Sequence, residues 1–296
     1  MLSISAMDSL SCTIPHDLIG RLRKCSNELQ MLPEAATRAL EILRQPDCSI
    51  RQLTQIIETD VGLTSNILKT ANSPFCSTGR PIASLHEAVI QIGFKRCYNL
   101  IQATCAKSLM QRLSQDQSSQ TRGILIHSLA SALAATELTR LLSIEFQGSE
   151  FTAAILHNIG RQLLFLMSPD EYDSLQNMSE TDWDTQKEVD AVGTDHCIVG
   201  AMFAGFNSLP MEVCEAIRFH HAPEKAIENP KLTYVIAAAT ALATHQIETD
   251  EDTAYEPQSN QGLQLLFSNH DTQLSDKDCS DQILSRLSKL NTSKSG

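Results

Sequence analysis

The sequence predicts an all-α protein, a multi-helix bundle in two packed halves. Three observations carry this reading. Apolar residues recur at three- and four-residue intervals in one segment after another. No period-two alternation of useful length appears, so strands have no signature. Ser, Asp, Pro and Gly also stand at the starts and stops of the periodic segments, where helix termini need them. No self-similarity at a period of roughly 20–50 residues suggests a solenoid.

The first half opens with Leu18, Leu22, Cys25 and Leu29, one stripe of an amphipathic helix over 17–29. Pro33 sits at a first helical position, followed by Ala36, Ala39, Leu40 and Leu43, until Gln45-Pro46-Asp47 breaks the run. Ser49-Ile50-Arg51-Gln52 reads as a capping box, with Leu53, Ile56 and Ile57 as the inner face. Asp60 can cap the next helix, which buries Leu63, Ile67, Leu68 and Ala71 and ends at Asn72-Ser73-Pro74. Asparagine and serine before proline are ordinary helix-ending chemistry, and a functional loop is the rival reading there. Ser84-Leu85-His86-Glu87 is a second capping box, with Ala88, Val89 and Ile92 behind it and Gly93 as the stop. Helix resumes over 96–113 with Cys97, Leu100, Ile101, Thr104 and Leu109 inward, and a polar linker follows over 114–120.

The second half begins at 121–142, with Ile124, Leu125, Ser128, Leu129, Ala132, Leu133 and Thr136 inward and His127 on the margin of that face. Ser149 is expected to cap a buried helix containing Ala153-Ala154-Ile155-Leu156-His157-Asn158-Ile159-Gly160, continuing through Leu163, Leu164, Leu166 and Met167 to Ser168-Pro169. Eight acidic residues and one base, Lys187, between 170 and 190 predict an exposed connection with short helical pieces. His196 opens an apolar run, Pro210 begins another that leads into His220-His221, and Leu232 to Ala243 marks the last strong helix. The expected organisation is an N-terminal segment 1–17, a domain 18–245 with halves 18–114 and 121–245, and an acidic, polar tail 246–296 that is weakly helical or flexible.

With 296 residues the chain can bury a large core without staples. Twenty-three basic against 35 acidic residues give a net charge of −12, which disfavours nucleic acid and anionic membranes and suits a protein partner or a small ligand. Nine cysteines without a C-x-x-C pair argue against a zinc knuckle or a disulfide framework. No leader or spanning segment is apparent, so a soluble, cytoplasmic protein is expected. The glycines form no G-x-G-x-x-G or P-loop, and Cys105 and Cys197 show no base beside them.

Five of the nine histidines, His127, His157, His196, His220 and His221, fall on helices expected to be apolar. Imidazole is the commonest metal ligand, so helices bringing these rings together could hold zinc, iron or nickel. Against this, no acidic residue accompanies them at the expected positions, and buried histidines also serve as hydrogen-bonded core residues. Adjacent His220 and His221 point about 100° apart on a helix, and near a C-terminus they can simply favour its dipole.

Leu32-Pro33 with its Ala/Leu helix, the stretch Ile57 to Thr64, Ala71-Asn72-Ser73, the stretch Ile82 to Val89, and Ile92-Gly93 together resemble the HDOD family of bacterial signalling domains. The resemblance covers about residues 18–245. It implies the helical fold of the HD superfamily of metal-dependent phosphohydrolases. It also implies that His127 corresponds to their early histidine ligand, His157 to the histidine of their His-Asp pair, and His196, His220 and His221 to the further ligands of two-metal members. Asn158 stands at the place of the paired aspartate and Thr240 at that of the late one. The expectation is therefore a non-catalytic regulatory protein, with Asn158 and Thr240 in a ligand pocket, that acts through protein partners or a small phosphorylated ligand. The alternative is a phosphohydrolase acting on a nucleotide or cyclic dinucleotide.

Overall fold

The computed structural model describes residues 14–28, 34–43, 45, 47–73, 76, 79–113, 119–146, 148–172, 175, 184–207, 209–249 and 253–292. Pro33, the linker 114–118 and most of 173–183 lie outside the described residues. Every regular element described is helical, and no described helix is long and apolar enough to cross a membrane.

Residues 29–112 form one compact unit. It holds α2 (Glu34–Leu43), α3 (Ile50–Ile57), α4 (Val61–Ala71) and all but the last residue of the long α5 (Leu85–Leu113); α1 (His16–Glu28) belongs to the other unit. Leu53, Ile57, Leu63, Ile67, Cys97 and Ile101 are its buried core. The Ser49 capping box forms as the sequence dictates, with Gln52 N donating to Ser49 Oγ at 3.2 Å and Ser49 N donating to Gln52 Oε1 at 3.1 Å. Asp60 caps α4 by accepting from Leu63 N at 2.9 Å. Asn72 is structural: its amide donates to Ile82 O and its carbonyl accepts from Ile82 N, both at 2.8 Å, which stitches the loop closed. Gly93 breaks α5 with φ 76°, a value that favours glycine.

The second unit contains α1 and everything from residue 113 onward. Its helices are α6 (Ser119–Leu141), α7 (Ser149–Leu156), α8 (Ile159–Met167), α9 (Pro169–Tyr172), α10 (Thr185–Val192), α11 (His196–Phe206), α12 (Met211–Phe219), α13 (Pro230–Glu248), α14 (Gln261–Ser268) and α15 (Asp276–Thr292). The centre is α13, which packs on α6, α7, α12, α14 and α15, while α1 packs on α8 and α11. Small residues make this possible: Ala132, Ala135, Ala153, Ala154, Ala238 and Ala239 are all buried, letting helices approach closely around Phe203, Leu163 and Ile217.

Three local expectations change. Ser149 is the first residue of α7 rather than its cap, because Gly148 takes that place with φ 94°. The helix expected to run unbroken to Met167 stops at Leu156 and restarts at Ile159, with His157 and Asn158 at the junction. On α6 Ser128 and Ala132 are inside as expected, but the buried face is rotated to take in His127, Ser131 and Ala134, whereas Leu129 is 44% exposed. The rotation satisfies α13, whose Thr244 hydroxyl meets His127.

Helix α8 crosses α11 closely at Gly160. A Cβ placed on Gly160 would lie 1.9 Å from the His196 carbonyl oxygen and 2.9 Å from Gly200 N. Gly262 plays the same part at the start of α14, where a Cβ would lie 2.4 Å from Ala238 N. Among the described residues of the tail, two helices, α14 and α15, pack on α13.

Candidate functional site: a five-histidine cleft

The break between α7 and α8 sets the site. Ala154 lies one turn before His157, and its carbonyl accepts from His157 Nδ1 at 2.7 Å. That bond places the proton on Nδ1 and the lone pair on Nε2. Nε2 is buried and meets no hydrogen-bonding partner among the described residues. Asn158 is 2% exposed, and neither Oδ1 nor Nδ2 of its side chain finds such a partner. Buried polar atoms left in this state cost about 1–3 kcal/mol, so these three atoms would be stabilised by any polar group that meets them.

The other rings arrive from separate elements. The α6 ring of His127 lies 5.2 Å from that of His157, and His127 Nε2 contacts Thr244 Oγ1 at 2.9 Å. Thr244 donates its own hydroxyl proton to Thr240 O at 3.0 Å, so it accepts from His127 Nε2 and the lone pair of His127 falls on Nδ1. His220 closes α12; Ile217 O accepts from its Nδ1 at 2.8 Å, and its ring lies 5.0 Å from His157 and 4.1 Å from His221. His196 opens α11, where Asp195 caps the helix by accepting from Ile198 N at 2.8 Å. Its Nε2 lies 3.4 Å from His220 Nε2. The five rings thus form a contiguous group on four elements, with the lone pairs of His157 and His220 turned away from their own backbones.

Burial and mutual proximity govern protonation. His157 is held well below the usual imidazole range, by burial first and then by the His127 ring. His220 is lowered in the same way, by burial and by His221 and His157. At His196 burial also disfavours the cation, but Cys197 and Glu188 outweigh it and hold the ring well above its ordinary value. Burial raises the Cys197 thiol, while the His196 ring, with Nε2 3.4 Å from Sγ, works in the opposite direction. The sequence showed no partner for this cysteine; the structure supplies one.

Of the expected residues, His127, His157, Asn158, His220, His221 and Thr240 line one cleft of about 520 Å³. His196 stands behind them, 0% exposed. Thr240 donates to Ala237 O at 3.0 Å and presents no charge to the cleft. The far wall comes from the tail, through Tyr255, Ser259, Asn260 and Gln261, together with Glu256, the one carboxylate among the lining residues and an exposed one. Asn260 builds that wall: its amide donates to Ala238 O at 3.1 Å and to the Tyr255 hydroxyl at 2.6 Å, while its carbonyl accepts from Leu263 N at 3.0 Å.

Sequence reasoning missed Glu188. It lies in the acidic stretch expected to be exposed, yet it is 0% exposed and accepts from His196 Nδ1 at 2.6 Å. The local pattern misled, because α10 turns Val189 outward, 37% exposed, and the acid inward. The tail wall was equally invisible, since its positioning contacts are made by polar side chains rather than by an apolar stripe.

A family model for the HDOD domain matches residues 29–223. An uncharacterized protein of Treponema pallidum is 24% identical over 237 residues, covering 78% of this chain and 45% of that protein, so the chain spans about half the length of this relative. The crystal structure of an HDOD domain protein from Geobacter sulfurreducens superposes with a TM-score of 0.67 at 20% identity, covering 93% of this chain and 97% of that one. A Shewanella amazonensis protein assigned by inference to the phosphohydrolases gives 0.65 at 19% identity, covering 91% and 94%. Likeness at these identities is likeness of fold.

Proposed function

We propose that this chain, which belongs to the HDOD family, is a non-hydrolytic signalling module that acts through protein contacts and takes a small ligand or a transition metal into its histidine cleft. One observation carries the reading. Asn158 and Thr240 line the same cleft as His127, His157 and His220, so these two lining positions bring an amide and a hydroxyl to the imidazoles rather than carboxylates.

The donor set fits a metal. Imidazole lone pairs suit zinc, iron or nickel, and His127, His157, His196, His220 and His221 would hold such an ion. When bound it would supply Lewis acidity. Hydrolysis needs more than that. Carboxylates neutralise and bridge the cations and help hold an attacking water, whereas a neutral amide coordinates only through its carbonyl oxygen. The same imidazoles, when protonated, would accept an anion such as a small phosphorylated ligand. A net charge of −12 fits a protein partner better than nucleic acid.

The test pairs metal analysis of protein purified without chelators with an assay on bis(p-nitrophenyl) phosphate supplemented with zinc, manganese or nickel. The expected result is background turnover, equal in wild type and His157→Ala. Turnover that disappears in His157→Ala would instead establish a phosphohydrolase and overturn the proposal.

A further inference from the structure

Glu188 does not line the cleft, yet its carboxylate is fully buried and fully engaged. Its Oε2 accepts from the His196 backbone amide at 2.9 Å and from His196 Nδ1 at 2.6 Å, and Oε1 accepts from the Tyr172 hydroxyl. An imidazole that donates Nδ1–H to a carboxylate carries its lone pair on Nε2, and the negative charge behind it makes that nitrogen a stronger donor to a cation. His196 Nε2 is directed at His220 Nε2 and at Cys197 Sγ, each 3.4 Å away. Because Ile217 O fixes His220 with its proton on Nδ1, the His220 Nε2 lone pair faces His196 Nε2 across that gap, a place filled by the Nε2 proton of a charged His196 or by a cation that displaces it.

His221 completes the group: the potential ligand atoms of His196, Cys197, His220 and His221 all lie within 4.8 Å of one another. Three of the four residues are at most 3% exposed, and His221 lies on the accessible side. Imidazole nitrogens with a sulfur form a donor set for zinc and its congeners, not for magnesium or calcium. A dication in so buried a place needs compensating charge. The Cys197 thiol proton and the Nε2 proton of a charged His196 leave for solvent as the sulfur–metal and nitrogen–metal bonds form, so that one negative charge comes from Cys197 and the other from Glu188.

We propose that His196, Cys197, His220 and His221 form a zinc-class cation site, and that Glu188 is its positioning residue, supplying from behind His196 the charge that Asn158 and Thr240 do not bring. This rests on the reading of the cleft as a ligand site and assigns its inner end. Cys197 and Glu188 give the site a character that imidazoles alone would not.

The experiment titrates metal-stripped full-length protein with Co²⁺, read by absorption, and then displaces it with Zn²⁺. Wild type is expected to bind one equivalent, with a sulfur-to-cobalt charge-transfer band in the near ultraviolet that Cys197→Ser abolishes. Glu188→Gln keeps hydrogen-bonding capacity and removes the charge, and should weaken binding about 10–100-fold. Tyr172→Phe keeps the charge and removes one hydrogen bond, and should change affinity much less. A cation bound equally well by wild type, Glu188→Gln and Cys197→Ser would overturn this assignment while leaving the cleft as a ligand site. No cation bound by wild type would overturn both this assignment and the metal reading of the cleft. Should Glu188→Gln fail to fold, the charge-transfer band in Cys197→Ser still decides, because its persistence would remove the sulfur from the site.

Discussion

Substituting Gly160 by alanine isolates what holds the histidines in register. The added Cβ would lie 1.9 Å from His196 O, 2.7 Å from His196 C and 2.9 Å from Gly200 N. Ordinary contact begins near 3.4 Å, so α8 and α11 would have to separate by about 1.5 Å at their crossing. All three obstacles are backbone atoms, so no side chain can rotate to make room. Overpacked cores typically lose about 1–3 kcal/mol, and a clash against rigid backbone belongs at the upper end or beyond it. At about 3 kcal/mol the melting temperature should fall by roughly 6–12 °C. The displaced atoms belong to His196, so metal or ligand binding should weaken as well. Differential scanning fluorimetry and the Co²⁺ titration read the two effects. Gly123→Ala is the control: it lies on α6, where a Cβ would meet nothing within 4 Å, and it should be neutral or stabilise by up to about 1 kcal/mol. A Gly160→Ala protein that melts within about 1 °C of wild type would refute the crossing as described.

Three further outcomes follow from other parts of the structure. Asn158→Asp places a carboxylate among buried imidazoles; the metal-free protein should melt lower than wild type, and added Zn²⁺ should raise its melting temperature more than it raises that of wild type, with no differential effect counting against the cleft as a cation site. Glu215 accepts from the amides of Ile227, Glu228 and Asn229 at 2.6, 2.9 and 2.7 Å, so Glu215→Ala should cost about 2 kcal/mol in urea unfolding and Glu215→Gln less, while a neutral Glu215→Ala would show that water replaces the carboxylate without loss. Glu137 on α6 is held below the ordinary carboxylate range by Arg140 and, against the opposing effect of burial, by Arg286 of α15. A lowered carboxyl contributes stability above its unfolded value and loses it as pH falls through the folded one. Wild type should therefore melt above Glu137→Gln at pH 7 and converge with it in strong acid, and a pH-independent difference would remove the ionised carboxylate as its cause.

Much of the helical frame could be read in the residues, since caps such as Ser49 and Asp60 act through neighbours three positions away. The family resemblance likewise pointed to histidines that the structure brings within ring contact of one another. What stayed hidden depends on distant partners. The break at His157-Asn158 occurs in a sequence with every local reason to remain helical, and the α6 face rotates to meet Thr244, 117 residues away. Glu188 is the sharpest case, because hydropathy places Val189 inside and the acid outside, whereas His196 and Tyr172 together reverse that order.

The wall built by Asn260 gives the cleft two zones with separate origins. Its floor, from His127 to His221, falls within the span that the family model matches, and its rim, from Thr240 to Gly262, lies beyond it. On the proposed reading of the cleft, capture chemistry is set by one stretch of sequence and admission by another. A fragment ending at residue 223 would keep His127, His157, His196, His220 and His221 but lose the Thr244 hydroxyl that meets His127, and with it the His245 ring and the rest of the rim.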